Sequence, residues 1–99
     1  MKFDNTGNVK VFYALDLCFG GVAKKNFELG FSMIEELAFV SKNYKAYEFL
    51  YSFYEKGIEN IKANQNKALK YAEYAAFLGN DKIAYELYLK YTNIAIKEI

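Results

Sequence analysis

Apolar residues recur along most of the chain at intervals of three and four positions, the spacing that lines one face of an α-helix. The pattern predicts five helices. The first covers about Val9 to Phe19 and stops at Gly20-Gly21, where glycine can take the left-handed conformation that ends a helix. The second covers about Asn26 to Val40, with Phe27, Phe31, Ile34, Leu37 and Ala38 on one face, and the turn Ser41-Lys42-Asn43 follows. The third runs from about Tyr44 to Lys56 and is closed by Gly57. The loop Ile58 to Asn64 leads to the fourth, about Gln65 to Leu78, closed by Gly79-Asn80. Asp81 can cap the fifth, which runs toward Ile96. Turns this short make neighbouring helices antiparallel.

The helical pattern repeats. Ala46, Leu50 and Tyr54 recur 37 positions later as Ile83, Leu87 and Tyr91. A fixed period of this size marks a stacked-helix solenoid. The fold expected is therefore all-α, a short α/α solenoid of about two and a half helix-turn-helix repeats in one domain over residues 1–99. Repeat 1 covers about 9–42, repeat 2 about 44–80, and a capping helix about 81–97. Ala68, Ala72, Ala75 and Ala76 put small residues on one face of the fourth helix, so that a neighbouring backbone can come close. Phe49 and Phe53 are expected to face the second and fourth helices. Their counterparts 37 residues on are Glu86 and Lys90, which read as the polar outer face a terminal repeat needs, and hence as the end of a complete small protein.

Composition narrows the class. Hydrophobic residues make up 54% of the 99, which excludes disorder. Ten Tyr and nine Phe can compensate for a short array, since large rings bury much area per residue; homodimerisation is the other way to hide surplus apolar surface. Thirteen basic against twelve acidic residues leave a formal charge of +1, which argues against a nucleic-acid partner. Cys18 is the single cysteine, so no internal disulfide forms, and it reads as a buried small hydrophobe. Met1 to Asn8 lacks the apolar stretch of a secretory leader, and no apolar run approaches a membrane span. The expected location is the cytoplasm, with no membrane partner.

The repeat unit resembles the Sel-one-like repeat family, a relative of the tetratricopeptide repeats. Ala46, Leu50, Tyr54 and Gly57 match the first-helix pattern, with Tyr51 where the first of two glycines is expected. Ala68, Tyr71, Ala75, Ala76 and Gly79 match the second-helix pattern. The turn between them departs: the usual glycine-valine and aspartate are missing, and the loop is one residue longer. The first copy is degraded. Gly30, Met33, Leu37, Ala38 and Ser41 stand 38 positions before the second-helix residues, and Gly21 stands 36 before Gly57, which puts Lys10 and Cys18 at the alanine and tyrosine positions. The resemblance covers residues 9 to 92. It implies an α/α superhelix with a binding or scaffolding role rather than a reaction.

Candidate chemistry is sparse. There is no histidine, and Cys18 has no partner base. Asp16, Glu28, Glu35, Glu36 and Glu48 lie at ordinary surface spacing and form no metal-ligand pattern. Gly20-Gly21 lacks the spacing and the Lys-Ser/Thr of a phosphate loop. Lys24-Lys25, and Lys67 with Lys70, read as solvated ends and faces. No catalytic residue, metal or cofactor is expected. A tyrosine stripe is the best site candidate: Tyr44, Tyr47, Tyr51 and Glu55 gather on one flank of the third helix, and Tyr85, Tyr88 and Thr92 on that of the fifth. These rings either wedge between helices or offer rigid area with a polar tip to a partner. The first helices of tetratricopeptide-like pairs line the concave face. The resemblance therefore implies that Tyr47, Tyr51, Glu55, Tyr85 and Tyr88 line a protein-binding groove, with Tyr13 or Asp16 joining from the first helix.

The function expected from these readings is a non-enzymatic protein–protein interaction module. Its most concrete form is a small cytoplasmic inhibitor, such as an immunity protein that neutralises a bacterial toxin. The alternative is a structural or adaptor protein that uses the tyrosine-rich face for homodimerisation or scaffolding.

Overall fold

Five helices follow one another in the computed structural model, which describes residues 7–97. They are α1 (Asn8–Phe19), α2 (Phe27–Phe39), α3 (Tyr44–Lys56), α4 (Gln65–Phe77) and α5 (Asp81–Lys97). Residues 1–6, most of the stretch read as lacking a leader, and 98–99 lie outside the described residues. The helices pack as antiparallel pairs, α1 with α2 and α3 with α4, and α5 closes on α4. The result is an all-α, repeat-like stack. It is elongated, 51 × 33 × 21 Å with a radius of gyration of 14.7 Å, against about 13 Å for a compact chain of this length.

The backbone keeps the repeat more strictly than the side chains do. Gly20 and Gly57 stand 37 apart, have φ of 76° and 78°, and donate their N–H to the carbonyls of Asp16 and Phe53 at 2.7 and 2.8 Å. Gly20, not Gly21, is thus the counterpart of Gly57, and the first copy runs at 37 with Val9 and Leu17 at the alanine and tyrosine positions. Lys42 (φ 54°) and Gly79 (φ 111°) are also 37 apart, so Lys42, not Ser41, fills the second glycine position.

Four asparagines start the helices. The side chain of Asn26 accepts from Leu29 N–H, that of Asn43 from Lys45 and Ala46, that of Asn64 from Lys67 and that of Asn80 from Ile83. Asn80 therefore caps α5, and Asp81 lies inside its first turn. An amide at this position satisfies a helix N–H that has no carbonyl partner.

The core threads through the stack. Ile34, Leu50, Ile83 and Val11 are fully enclosed, and Ala68, Ala72 and Ala75 bury their face of α4, with Ala76 half-buried. Gly30 allows the closest approach: a Cβ there would lie 2.5 Å from the Ala14 carbonyl oxygen and 2.7 Å from Cys18 Sγ. Cys18 is buried, and burial pushes its thiol up to about 11, which leaves it protonated at neutral pH. Phe53 packs on Phe27 and Phe31 of α2, one of the two helices expected, and also on Phe19 of α1.

Glu86 and Lys90 correct a second expectation. They do not form an outer polar face. Lys90 Nζ lies 2.6 Å from both Tyr51 Oη and Glu55 Oε2 on α3, and Glu86 lines a crevice with Phe49, Tyr51 and Ser52. Both residues belong to the seam where α5 rests on α3. The outer side of α5 carries Tyr85, Tyr88 and Leu89 instead, all exposed. No described helix is long and apolar enough to cross a membrane.

Candidate functional site

The rings expected to form one wall fall into two groups. Tyr47 and Tyr51 are 5% and 6% exposed, so they are packed between helices rather than spread along a groove. Tyr85 and Tyr88 are each 62% exposed and stack on one another at 6.3 Å. They lie on the far side of α5. Glu55 stands between, held by Lys90, whose hydrogen bond lowers the Glu55 carboxyl from its ordinary range against the effect of burial. Tyr51 fills the seam: its hydroxyl accepts from Lys90, whose ammonium also sits 4.7 Å from its ring centre. Burial raises the Tyr51 phenol, so it stays neutral. Tyr51 thus fills the space between α3 and α5 and takes a lysine from the helix that follows the α3–α4 pair. Asp16 does not face a groove either; its two oxygens accept the Val22 and Ala23 N–H groups and brace the α1–α2 turn. Tyr13 is half-exposed on α1.

A concave surface lies beside α4. Phe39 from the end of α2, Tyr47 from α3 and Tyr71, Tyr74 and Phe77 from α4 surround an open cavity of about 590 Å³. Successive α4 positions three residues apart deliver these rings to one side of the helix. Neighbouring centroids lie 5.4 to 6.0 Å apart: 5.9 Å for Phe39–Tyr71, 6.0 Å for Tyr47–Tyr71 and 5.4 Å for Tyr47–Tyr74. Such tilted ring pairs hold one another beyond simple area burial. Tyr47 forms the floor. Phe77, 88% exposed, stands at the mouth, uncovered among the described residues.

Lysines edge this cluster. Lys42 and Lys70 line the cavity, and Lys70 Nζ lies 5.8 Å from the Tyr74 ring centre. One turn earlier, Lys67 sits 5.2 Å over Tyr54. Both lysines on α4, read above as solvated, are therefore laid over aromatic faces, an arrangement in which a cation is attracted to the ring. Burial raises the phenols of Tyr47 and Tyr71, with the neighbouring Tyr74 adding to the effect for Tyr47. The cavity thus has neutral hydroxyl tips, an apolar wall and positive charge at its edge.

Comparisons with family models, curated proteins and solved structures return no match. Among the described residues no three His, Cys, Asp or Glu side chains gather in a group that could hold a metal ion. The cavity offers association chemistry: shape, ring faces, phenol hydroxyls and two ammonium groups. Of the five residues expected at the site, it contains Tyr47 alone. Tyr71 counts above only as a match to the second-helix pattern, and Phe39, Tyr74 and Phe77 carry no expected role. Their signal was the α4 spacing Lys70, Tyr74 and Phe77, a basic and aromatic flank opposite the alanine face.

Proposed function

We propose that the chain is a non-enzymatic protein-binding module that receives an apolar side chain of a partner, flanked by acidic residues, in the α2–α4 pocket. The uncovered Phe77 beside the Tyr47–Tyr71–Tyr74 cluster carries this reading. A volume of about 590 Å³ lies in the range of specific pockets, and tyrosine-rich surfaces supply much contact area at small entropic cost. Lys42 and Lys70 suit an acidic partner surface and would speed its encounter. The resemblance to Sel-one-like proteins adds the most concrete form of the proposal, a small cytoplasmic inhibitor of the immunity type.

A photo-crosslinking residue at position 77, compared with one at the exposed loop position Lys62, tests the pocket in the source cell. A stoichiometric protein crosslinked from 77 and not from 62, and lost on Tyr74→Ala with helicity retained, is the expected result. No protein adduct from 77, or equal yields from both positions, would overturn the proposal. If the captured protein is a toxin domain, equimolar addition of the chain should suppress its activity, and Phe77→Ser should relieve that suppression.

A further inference from the structure

We propose that Lys42 selects an acidic partner at the α2–α4 pocket, and that this is why a lysine occupies a left-handed turn the chain elsewhere builds with glycine. The inference rests on the pocket reading above and adds which cation does the selecting. The repeat supplies its own comparison. Lys42 and Gly79 hold the same place in the turns before α3 and α5, with φ of 54° and 111°. Each turn leads into a buried asparagine cap, Asn43 in one and Asn80 in the other. Glycine takes such a conformation freely, whereas a residue with a Cβ is held in it against a steric cost. The turn itself therefore has no need of a lysine. Residues kept in costly backbone conformations cluster where a side chain is put to use. What Lys42 adds is an ammonium on a flexible stem at the edge of the aromatic cavity.

The two lysines of the cavity differ. Lys70 Nζ lies 5.8 Å from the Tyr74 ring centre, so its charge is already drawn to a ring of the chain. The Lys42 ammonium has neither a carboxylate nor a ring for a partner among the described residues. No described carboxylate lines the cavity beside it. Two other cavities edged by lysines do hold carboxylates: Glu48, Glu55 and Glu86 share the α3–α5 crevice with Lys56 and Lys82, and Glu36 shares a cavity with Lys10. The aromatic pocket thus presents positive charge that the chain does not neutralise on the spot.

Position supports the same assignment. Lys42 also lines a smaller cavity of about 230 Å³ with Ser41 and Tyr44, so it stands between two depressions. A segment that leaves an apolar side chain in the larger one and continues toward the smaller passes over Lys42. An acidic residue next to the apolar one is then placed to meet the ammonium. Lysine is a flexible point charge with no fixed fork of donors, so it selects by charge rather than by shape, and added salt weakens the selection.

Two blocked tripeptides test this, N-acetyl-Asp-Trp-Asp-amide and its uncharged counterpart N-acetyl-Asn-Trp-Asn-amide. The chain contains no Trp, so the indole emission of the peptide reports binding. At low salt the wild-type chain should bind the acidic peptide about fivefold more tightly than the neutral one, as one or two exposed ion pairs allow, and the ratio should shrink as salt is added. Lys42→Gly should raise the urea midpoint yet cut that ratio to less than half. Lys42→Arg, which restores the charge, should keep it. Lys70→Gln should lower the ratio by less than Lys42→Gly does. A wild-type ratio near one, a ratio untouched by Lys42→Gly, a larger fall for Lys70→Gln, or a Lys42→Gly chain less stable than wild type would each overturn the inference. In all four cases binding of the neutral peptide would leave the pocket standing. If neither peptide binds up to millimolar concentration, the pocket reading fails and this inference fails with it.

Discussion

Lysine holds the left-handed turn before α3, and glycine holds the same turn before α5. Lys42 at φ 54° carries a Cβ in a conformation that costs an ordinary residue about 1–2 kcal/mol, whereas Gly79 at φ 111° carries none. Lys42→Gly should therefore raise stability by up to about 1 kcal/mol, the gain being reduced by the greater freedom of glycine in the unfolded chain. Gly79→Ala should lower it by about 1–3 kcal/mol. A Cβ at 79 would find only Tyr44 Cδ2 at 3.9 Å, so that loss comes from the backbone and not from a clash. Urea midpoints at constant m-value measure both changes, and equal midpoints for Gly79→Ala and wild type would contradict the second. Gly30 is the opposite case. Its φ is ordinary for a helix, and alanine there would gain about 1 kcal/mol in helix propensity. The methyl group would nevertheless enter the Ala14 carbonyl, so Gly30→Ala should cost about 1–3 kcal/mol as α1 and α2 move apart. The sequence alignment of Gly30 with Ala68 made the two look interchangeable, and the close approach of α1 is what separates them.

Four helices begin on asparagine, and the spacing of these residues is the spacing of the repeat: Asn43 and Asn80 are 37 apart, Asn26 and Asn64 are 38 apart. Asn26→Ala and Asn64→Ala should each cost about 1 kcal/mol, the usual effect of losing a cap. Asn43 and Asn80 are buried, and each does more. Asn43 accepts from two N–H groups, and Asn80 also ties α5 to Glu48 of α3, so their alanine variants should cost about 2 kcal/mol or more. Asp81→Ala should cost only about 0.3–1 kcal/mol, the effect of one carboxylate in a first helical turn. Equal losses for Asn80→Ala and Asp81→Ala would refute this assignment of the cap. Helix limits, the alanine face and the all-α stack were legible because each depends on local spacing. Which side of a helix meets which neighbour was not. Glu86 and Lys90 looked like an outer surface because polar residues usually are one, yet Lys90 spans the seam to reach Tyr51 and Glu55. Tyr47 looked like a groove residue, but the wheel of one helix does not reveal that Phe39 and Tyr71 close over it.

At the scale of the whole stack, α5 is held differently from the helices before it. Among the described residues it buries Ile83 and Leu87, and polar links add to this: Lys90 to Glu55 and Tyr51, Asn80 and Lys82 to Glu48, and the Tyr91 hydroxyl to Glu73 of α4. The pairs α1–α2 and α3–α4 are joined instead by close backbone contact at Gly30 and along the Ala68, Ala72 and Ala75 face. A terminal element held by charged hydrogen bonds opens more readily than one held by burial, and its opening depends on pH. The Lys90 hydrogen bond holds the Glu55 carboxyl below its ordinary range. Its contribution is therefore complete above the ordinary carboxylate pKa and is lost as pH falls through the lowered one. Burial pulls Lys90 down, but its bonds to Glu55 and Tyr51 leave it above the usual lysine range, so its share lasts up to that range and disappears at higher pH. Both side chains are partly exposed, which keeps the effect local rather than enough to unfold the chain. Amide protection in α5, measured against the intrinsic exchange rate at each pH, should thus fall in acid while α1 to α4 keep theirs. Glu55→Gln should reproduce the lost protection at neutral pH, where the wild-type link is intact. Protection that falls uniformly over all five helices, or an α5 indifferent to both acid and Glu55→Gln, would mean that the Glu55–Lys90 link does not govern how the last helix is held.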